Sequence, residues 1–305
     1  IKTEQGVIKN DLYSKRTLLN IQDRVAILEG WLWVERKQFD KAMASFQSVL
    51  DNYKLNKDYF EEQTRVYADA AKGHIIALQA LGDYPQAELE ILDLQKWIKA
   101  QPKIVVNETG RSALLSVQNS LELVQAQLQA ARKNYPTAKT QYELVINKYA
   151  DYINGVITGF KPDVALEDKL LAVQAWEGLA QLYKDLGVYE SAYSAYKSLS
   201  DLNASEDGVQ DYIRANKPLW QVACARLEFQ KKDLLSAQAV AGKLIADYGT
   251  TFPAGNEKVS RNKVSAYYDA YYLLAEIEKE YGHFTECHDL QNTILSKVAK
   301  HKVER

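Results

Sequence analysis

Residues Trp176–Leu199, WEGLAQLYKDLGVYESAYSAYKSL, decide how the chain is read. Trp176, Leu179, Ala180 and Tyr183 recur at three- and four-residue steps, which places them on one face of a helix with 3.6 residues per turn. Asp185-Leu186-Gly187 stops that helix, because Gly187 enters the left-handed cap conformation without a Cβ clash. A second helix then carries Ala192, Tyr196 and Leu199 inward. Large side chains meet small ones, Trp176 and Tyr183 against Ala180 and Ala192, so the two helices interlock.

The same pattern recurs along the 305 residues. Taking the small residue of the second helix as a marker gives Ala42, Ala87, Ala138, Ala192, Ala237 and Cys287, separated by 45, 51, 54, 45 and 50 residues. The predicted helix pairs lie near 24–53, 58–100, 111–149, 168–200, 209–248 and 258–300, with Leu12 to Gln22 extending the first helix and residues 1–11 an arm. Leu81-Gly82-Asp83-Tyr84-Pro85-Gln86-Ala87 and Asn134-Tyr135-Pro136-Thr137-Ala138 repeat the turn. Their prolines stand at the start of a helix, where a missing N–H costs nothing. In the fifth pair Ala241 replaces the usual aromatic, and in the sixth Gln291 stands where an apolar ring is expected.

A bulky residue, then Leu and a small residue, an aromatic, Gly-x-Tyr, and an Ala followed by an aromatic resembles the tetratricopeptide repeat. The segment KQFDKAMASFQSVLDNY carries the same resemblance in the first pair. It implies an all-α, right-handed superhelical solenoid of about six helix pairs forming one domain over residues 1–305. The marker spacing exceeds the about 34 residues of a tetratricopeptide unit, so the helices or links are extended. The endings FQSVLDNY, YELVINKY and AGKLIADY look like bacterial cell-envelope members of that family. They depart from its Tyr-Pro ending, since Tyr53, Tyr149 and Tyr248 precede Lys54, Ala150 and Gly249. On this resemblance an envelope or periplasmic setting is favoured over the cytoplasm.

The 38 basic and 40 acidic residues nearly cancel, which argues against nucleic acid held by long-range charge. The basic end, Lys297, Lys300, Lys302 and Arg305, complements the last helix's C-terminal dipole. No apolar run reaches membrane-spanning length; the best, Val25 to Val34, is broken by Glu29. The chain begins at Ile1 and shows no signal peptide, which is compatible with a leader or anchor having preceded it. Cys224 and Cys287 fall on core-facing slots and read as buried free thiols rather than a disulfide framework.

No cluster of residues reads as catalytic, and no cofactor or metal is expected. His283, Cys287 and His288 are the nearest approach to zinc-ligand spacing, but His283 sits in a turn and Cys287 faces the core. His74 reads as a lone histidine with no acidic neighbour at helical spacing. The expected role is a non-catalytic scaffold or adaptor for a peptide or partner protein. The second reading is a structural component that assembles with copies of itself. Transferring the family's groove positions gives a concave lining of Arg24, Trp31, Asp69, Lys72, Ile76, Leu123, Gln127, Gln174, Glu177, Gln181, Lys184, Arg226, Phe229, Asp269, Tyr272 and Lys279. On family geometry Trp31 projects into that groove and not into its helix pair. Ile27, Trp31 and Ile76 occupy slots of the Lys and Asn clamp that binds chaperone tails, so that clamp is absent. The alternative binding edge is the link after the third pair, through Ile153, Val156, Ile157 and Phe160.

Overall fold

The computed structural model describes residues 12–55, 64–100, 108–149, 166–202, 207–249 and 261–303. The expected edge residues Ile153, Val156, Ile157 and Phe160 lie outside these, as does the arm at 1–11. The described residues form twelve helices and no strand. In order they are α1 (Leu12–Glu35), α2 (Phe39–Leu55), α3 (Thr64–Leu81), α4 (Tyr84–Ala100), α5 (Glu108–Ala131), α6 (Tyr135–Tyr149), α7 (Leu166–Asp185), α8 (Tyr189–Asp201), α9 (Asp207–Gln230), α10 (Leu234–Gly249), α11 (Arg261–Glu280) and α12 (Phe284–Val303). As expected, Leu12 to Gln22 belongs to the first helix.

The helices come as six hairpins, each closed by the same short turn. The residue five before each marker adopts positive φ: Lys37 (56°), Gly82 (83°), Lys133 (61°), Gly187 (71°), Lys232 (67°) and Gly282 (80°). In the first hairpin the Lys37 N–H donates to the Val34 carbonyl at 2.9 Å and the Gln38 N–H to the Trp33 carbonyl at 2.9 Å. That pair of bonds is the Schellman motif, which satisfies carbonyls left open at a helix end. The same two bonds close the other five turns. The next residue then caps the following helix through its own carbonyl, as Asp83 accepts from Ala87 N–H at 3.0 Å. Asp83 and Asp233 add side-chain caps to the N–H groups of Gln86 (3.2 Å) and Ser236 (3.1 Å), relieving orphan donors.

The markers are the hinge of the packing. Ala42, Ala87, Ala138, Ala192 and Ala237 are fully buried, and Cys287 nearly so. By internal contact the chain divides into two compact units, one of Ile1–Gln141 with Lys161–Asp168, the other of Tyr142–Phe160 with Lys169–Arg305. In the first, α1 to α4 each pack on the next helix in order, α4 on α5, and alternate helices also touch, α1 on α3 and α3 on α5. Its core runs from Ile27 and Phe46 through Ile75 and Ile91 to Leu121 and Leu128. In the second, α8 to α12 pack in sequence and α9 also meets α11. Val222, Ala225, Ala237, Ala241, Leu244, Ala270, Leu273 and Ile277 belong to one core there.

Close approach between successive hairpins has a specific cause. A Cβ on Gly73 of α3 would lie 2.3 Å from Phe46 Cζ, and one on Gly30 of α1 would lie 2.5 Å from Phe46 Cε1. The Phe46 ring from α2 therefore fills the space left by two glycines on the helices either side. In the second unit a Cβ on Gly178 of α7 would lie 2.4 Å from Tyr142 Cε1. Glycine inside a helix costs about 0.5–1 kcal/mol relative to alanine; burying a ring against backbone more than offsets it, at about 1.5–3 kcal/mol for a phenylalanine side chain.

Candidate functional site

Glu177 is the centre of the best-developed polar cluster. It lies on the exposed-to-core border of α7, three residues after Gln174 and four before Gln181, so the three share a face. The helix α9 crosses it with two aromatic donors. Tyr212 donates its hydroxyl to Glu177 Oε2 at 2.9 Å, and Trp220 donates its indole N–H to Oε1 at 2.7 Å. From α8, Tyr196 donates to Gln181 Oε1 at 3.2 Å, while Gln181 Nε2 donates to Asp185 at 2.7 Å.

The electrostatics follow from this surround. Burial pushes the Glu177 carboxyl above its ordinary value, against the pull of the Tyr212 and Trp220 hydrogen bonds. Burial also pushes Tyr196 up to about 12, assisted by the charge of Glu177. Both carboxylate oxygens are held by neutral donors. The site thus presents negative charge with no ion pair among the described residues, beside amide groups that accept and donate. Among the described residues the cluster offers acceptors and amide groups and pairs no nucleophile with a base.

The other groove candidates in the second unit form a smaller polar pair. Arg226 on α9 donates to Asp269 on α11 at 3.2 Å, with both side chains 39% exposed. Ser265 donates to the other oxygen of Asp269 at 3.4 Å. Phe229 packs partly into the core, with Lys232 Nζ 5.8 Å from its ring centre. Tyr272 is 49% exposed, Lys279 is exposed and Lys184 is half-buried.

In the first unit the structure brings Trp31 and Lys72 together, the Lys72 ammonium lying 5.6 Å from the Trp31 ring centre. Trp31 departs from its expected position: it packs edge-on against Phe46, ring centres 5.3 Å apart. The glycine at 30 lets Phe46 approach α1 closely enough to meet it. Arg24 and Gln127 are exposed, Asp69 and Ile76 half-buried. Leu123 is buried at 5% exposure and belongs to the interior.

His74 is packed, and it has a partner that helical spacing does not show. It is buried, and its Nδ1 lies 2.7 Å from Glu90 Oε2, across the hairpin on α4. A carboxylate only accepts, so the proton of this bond sits on Nδ1. Gln86 donates to the second oxygen of Glu90 at 3.0 Å. Burial raises the Glu90 carboxyl, but the His74 and Gln86 hydrogen bonds and nearby positive charge outweigh it, and the net shift is downward. The pair adjoins the Tyr53, Tyr67 and Trp97 rings, where the charge of Glu90 helps raise the Tyr67 hydroxyl behind the larger effects of burial and Asp93.

Cys224 and Cys287 are buried free thiols. Burial, then the charges of Glu228 and Asp201, push Cys224 up to about 12, which removes its reactivity at neutral pH. His283 bonds Glu278 at 2.8 Å. Among the described residues no three His, Cys, Asp or Glu side chains gather as a metal site would require, and no helix is long and apolar enough to cross a membrane. No protein-family model matches the chain, and a search of curated proteins finds no match.

Proposed function

We propose that the protein is a non-catalytic helical-repeat scaffold of tetratricopeptide type that holds an extended stretch of a partner polypeptide against its first helices. The observation that carries this reading is the polar row Gln174, Glu177 and Gln181 on α7, partly open and set among neutral donors. An extended peptide offers unpaired amides along its length, and such a row of side-chain amides and carboxylate matches them. The six identical turns support a repeat of tetratricopeptide kind, and with it the solenoid. Rigid packing lowers the ordering cost on the scaffold's side of binding. The carboxylate favours a partner carrying Lys or Arg at the position it meets. The endings of α2, α6 and α10 favour a bacterial envelope setting.

The test is calorimetric titration of the full chain with a panel of extended peptides that differ only in charge. Basic peptides are expected to bind, and Glu177→Gln combined with Gln181→Ala is expected to abolish it while the helical circular-dichroism spectrum is retained. Equal binding of acidic and basic peptides, or binding indifferent to these substitutions, overturns the reading.

A further inference from the structure

The helix α1 has two apolar faces, and among the described residues only one of them is covered. Ile27 and Gly30 turn inward. On the opposite side Leu18, Ile21, Val25, Leu28 and Leu32 are between 46% and 69% exposed. Their spacing is three, four, three, four. A single exposed leucine needs no explanation, but five in one stripe make a seam with the a and d spacing of a coiled coil. A helix that faces water on one side ordinarily carries polar residues there.

The borders of the stripe say what fits it. With Leu18, Val25 and Leu32 at a and Ile21 and Leu28 at d, Arg24 falls at g and Glu29 at e. Both are exposed, and neither has a charged partner among the described residues. In parallel pairing a g residue meets the e residue five positions further along the other helix, which is the separation of Arg24 from Glu29. A two-fold axis makes that pair twice. In antiparallel order Arg24 would instead run beside the other copy's Arg24 and Trp31, and no opposite charge would meet it. At the centre, Val25 at a and Leu28 at d are the combination that favours two strands, while the outer pair Leu18 and Ile21 is a combination of larger bundles.

We propose that this face is where two copies of the chain meet, α1 against α1, parallel, about a two-fold axis. Isolated coils need about three or four heptads. Here α2 and α3 already hold α1 folded, so a shorter seam suffices. The inference does not rest on the polar row of α7, which lies on another helix.

Sedimentation equilibrium of the full chain over a range of concentrations tests it. The mass is expected to rise from that of one 34.6 kDa chain toward twice that value. Leu28→Glu, at a position 69% exposed, is expected to hold the protein at single-chain mass with unchanged melting. Arg24→Glu is expected to weaken association about ten-fold, and Arg24→Glu combined with Glu29→Arg to restore it. Ile21→Cys chains are expected to cross-link to one another. The proposal is overturned by single-chain mass at every concentration, by a mass above two chains, or by a dimer indifferent to Leu28→Glu. It is equally overturned if Ile21→Cys links only to Leu32→Cys, which means antiparallel order, or if removing residues 1–11 is needed for pairing, which means the chain covers its own seam.

Discussion

At the joint between the first two hairpins a phenylalanine, Phe46, fills a space opened by glycine at 73. At the joint between the last two the sizes are exchanged: Ala241 stands in the place of Phe46 and Leu273 in the place of Gly73, both buried in one core. The register is shared. Phe46 and Ala241 each follow a marker alanine by four residues, and Gly73 and Leu273 each precede the next marker by fourteen. The same positions hold Ile91 and Val124, Tyr142 and Gly178, and Tyr196 and Ala223. Four of these five joints set a large residue against a small one, and Ile91 with Val124 sets two of middle size, so the bulk is shared between the two positions as close packing requires.

The largest test of this comparison empties one joint. Phe46→Ala is expected to cost about 3–5 kcal/mol in denaturant unfolding. Adding Gly73→Leu converts the joint to the arrangement at Ala241 and Leu273, and is expected to recover at least about 1 kcal/mol, a coupling that a double-mutant cycle reads directly. Purely additive losses would sink the shared-volume idea. The converse change, Ala241→Phe with Leu273 retained, overfills its joint and is expected to cost about 1–3 kcal/mol.

Two carboxylates sharpen the contrast between units through pH. Glu90 is shifted down, so the stability it contributes is present above the ordinary carboxylate range and is lost as pH falls through its lowered value. Glu177 is shifted up, so its contribution is present below that range and is lost as pH rises through its raised value. Glu90→Gln is expected to flatten the acid side of the stability profile. Glu177→Gln keeps an acceptor oxygen and is expected to flatten the loss on raising pH, leaving the protein more stable at neutral pH. Each change is expected near the about 0.5–1.5 kcal/mol of one hydrogen-bonding group; melting curves from pH 3 to about pH 8 check both signs. The smallest effect belongs to the turns. Lys133→Gly relieves a left-handed lysine at about 1–2 kcal/mol while freeing the unfolded chain by about 0.5–1 kcal/mol. The net gain expected is between about 0 and 1.5 kcal/mol, and the same substitution at the helix-interior Lys139 should destabilise.

Much of the fold was legible because its signals are local. The six marker residues and the glycine at 187 carry their roles in their own size and backbone freedom. Lys37, Lys133 and Lys232 hide the same turn, since nothing in a lysine announces positive φ; only their offset from the markers does. Ala241 looked like a defect because its compensating Leu273 is thirty-two residues away. The His74–Glu90 pair was missed for a related reason. The two are sixteen residues apart across a turn, a spacing that no single helix displays, and only the hairpin brings them together. The contact of Trp31 with Phe46 was not legible, because it depends on Gly30 and Gly73 letting that ring close on α1 from another helix. Of the site, Gln174, Glu177 and Gln181 came from the groove positions of the family the sequence resembles, and their spacing adds only that they share a face of α7. Their cover by Tyr212 and Trp220 depends on how α9 crosses, which the sequence of α7 does not contain.

The turns also bear on how the chain reaches this structure. Each hairpin closes over two or three residues, so the first contacts made are short-range and loop closure costs little entropy. Chains dominated by such contacts fold fast. Gly82, Gly187 and Gly282 alternate with Lys37, Lys133 and Lys232. The glycine hairpins enter their turn without strain and are the natural starting points. The lysine hairpins carry the cost of a left-handed side chain, about 1–2 kcal/mol each, so every second turn closes less readily than its neighbours.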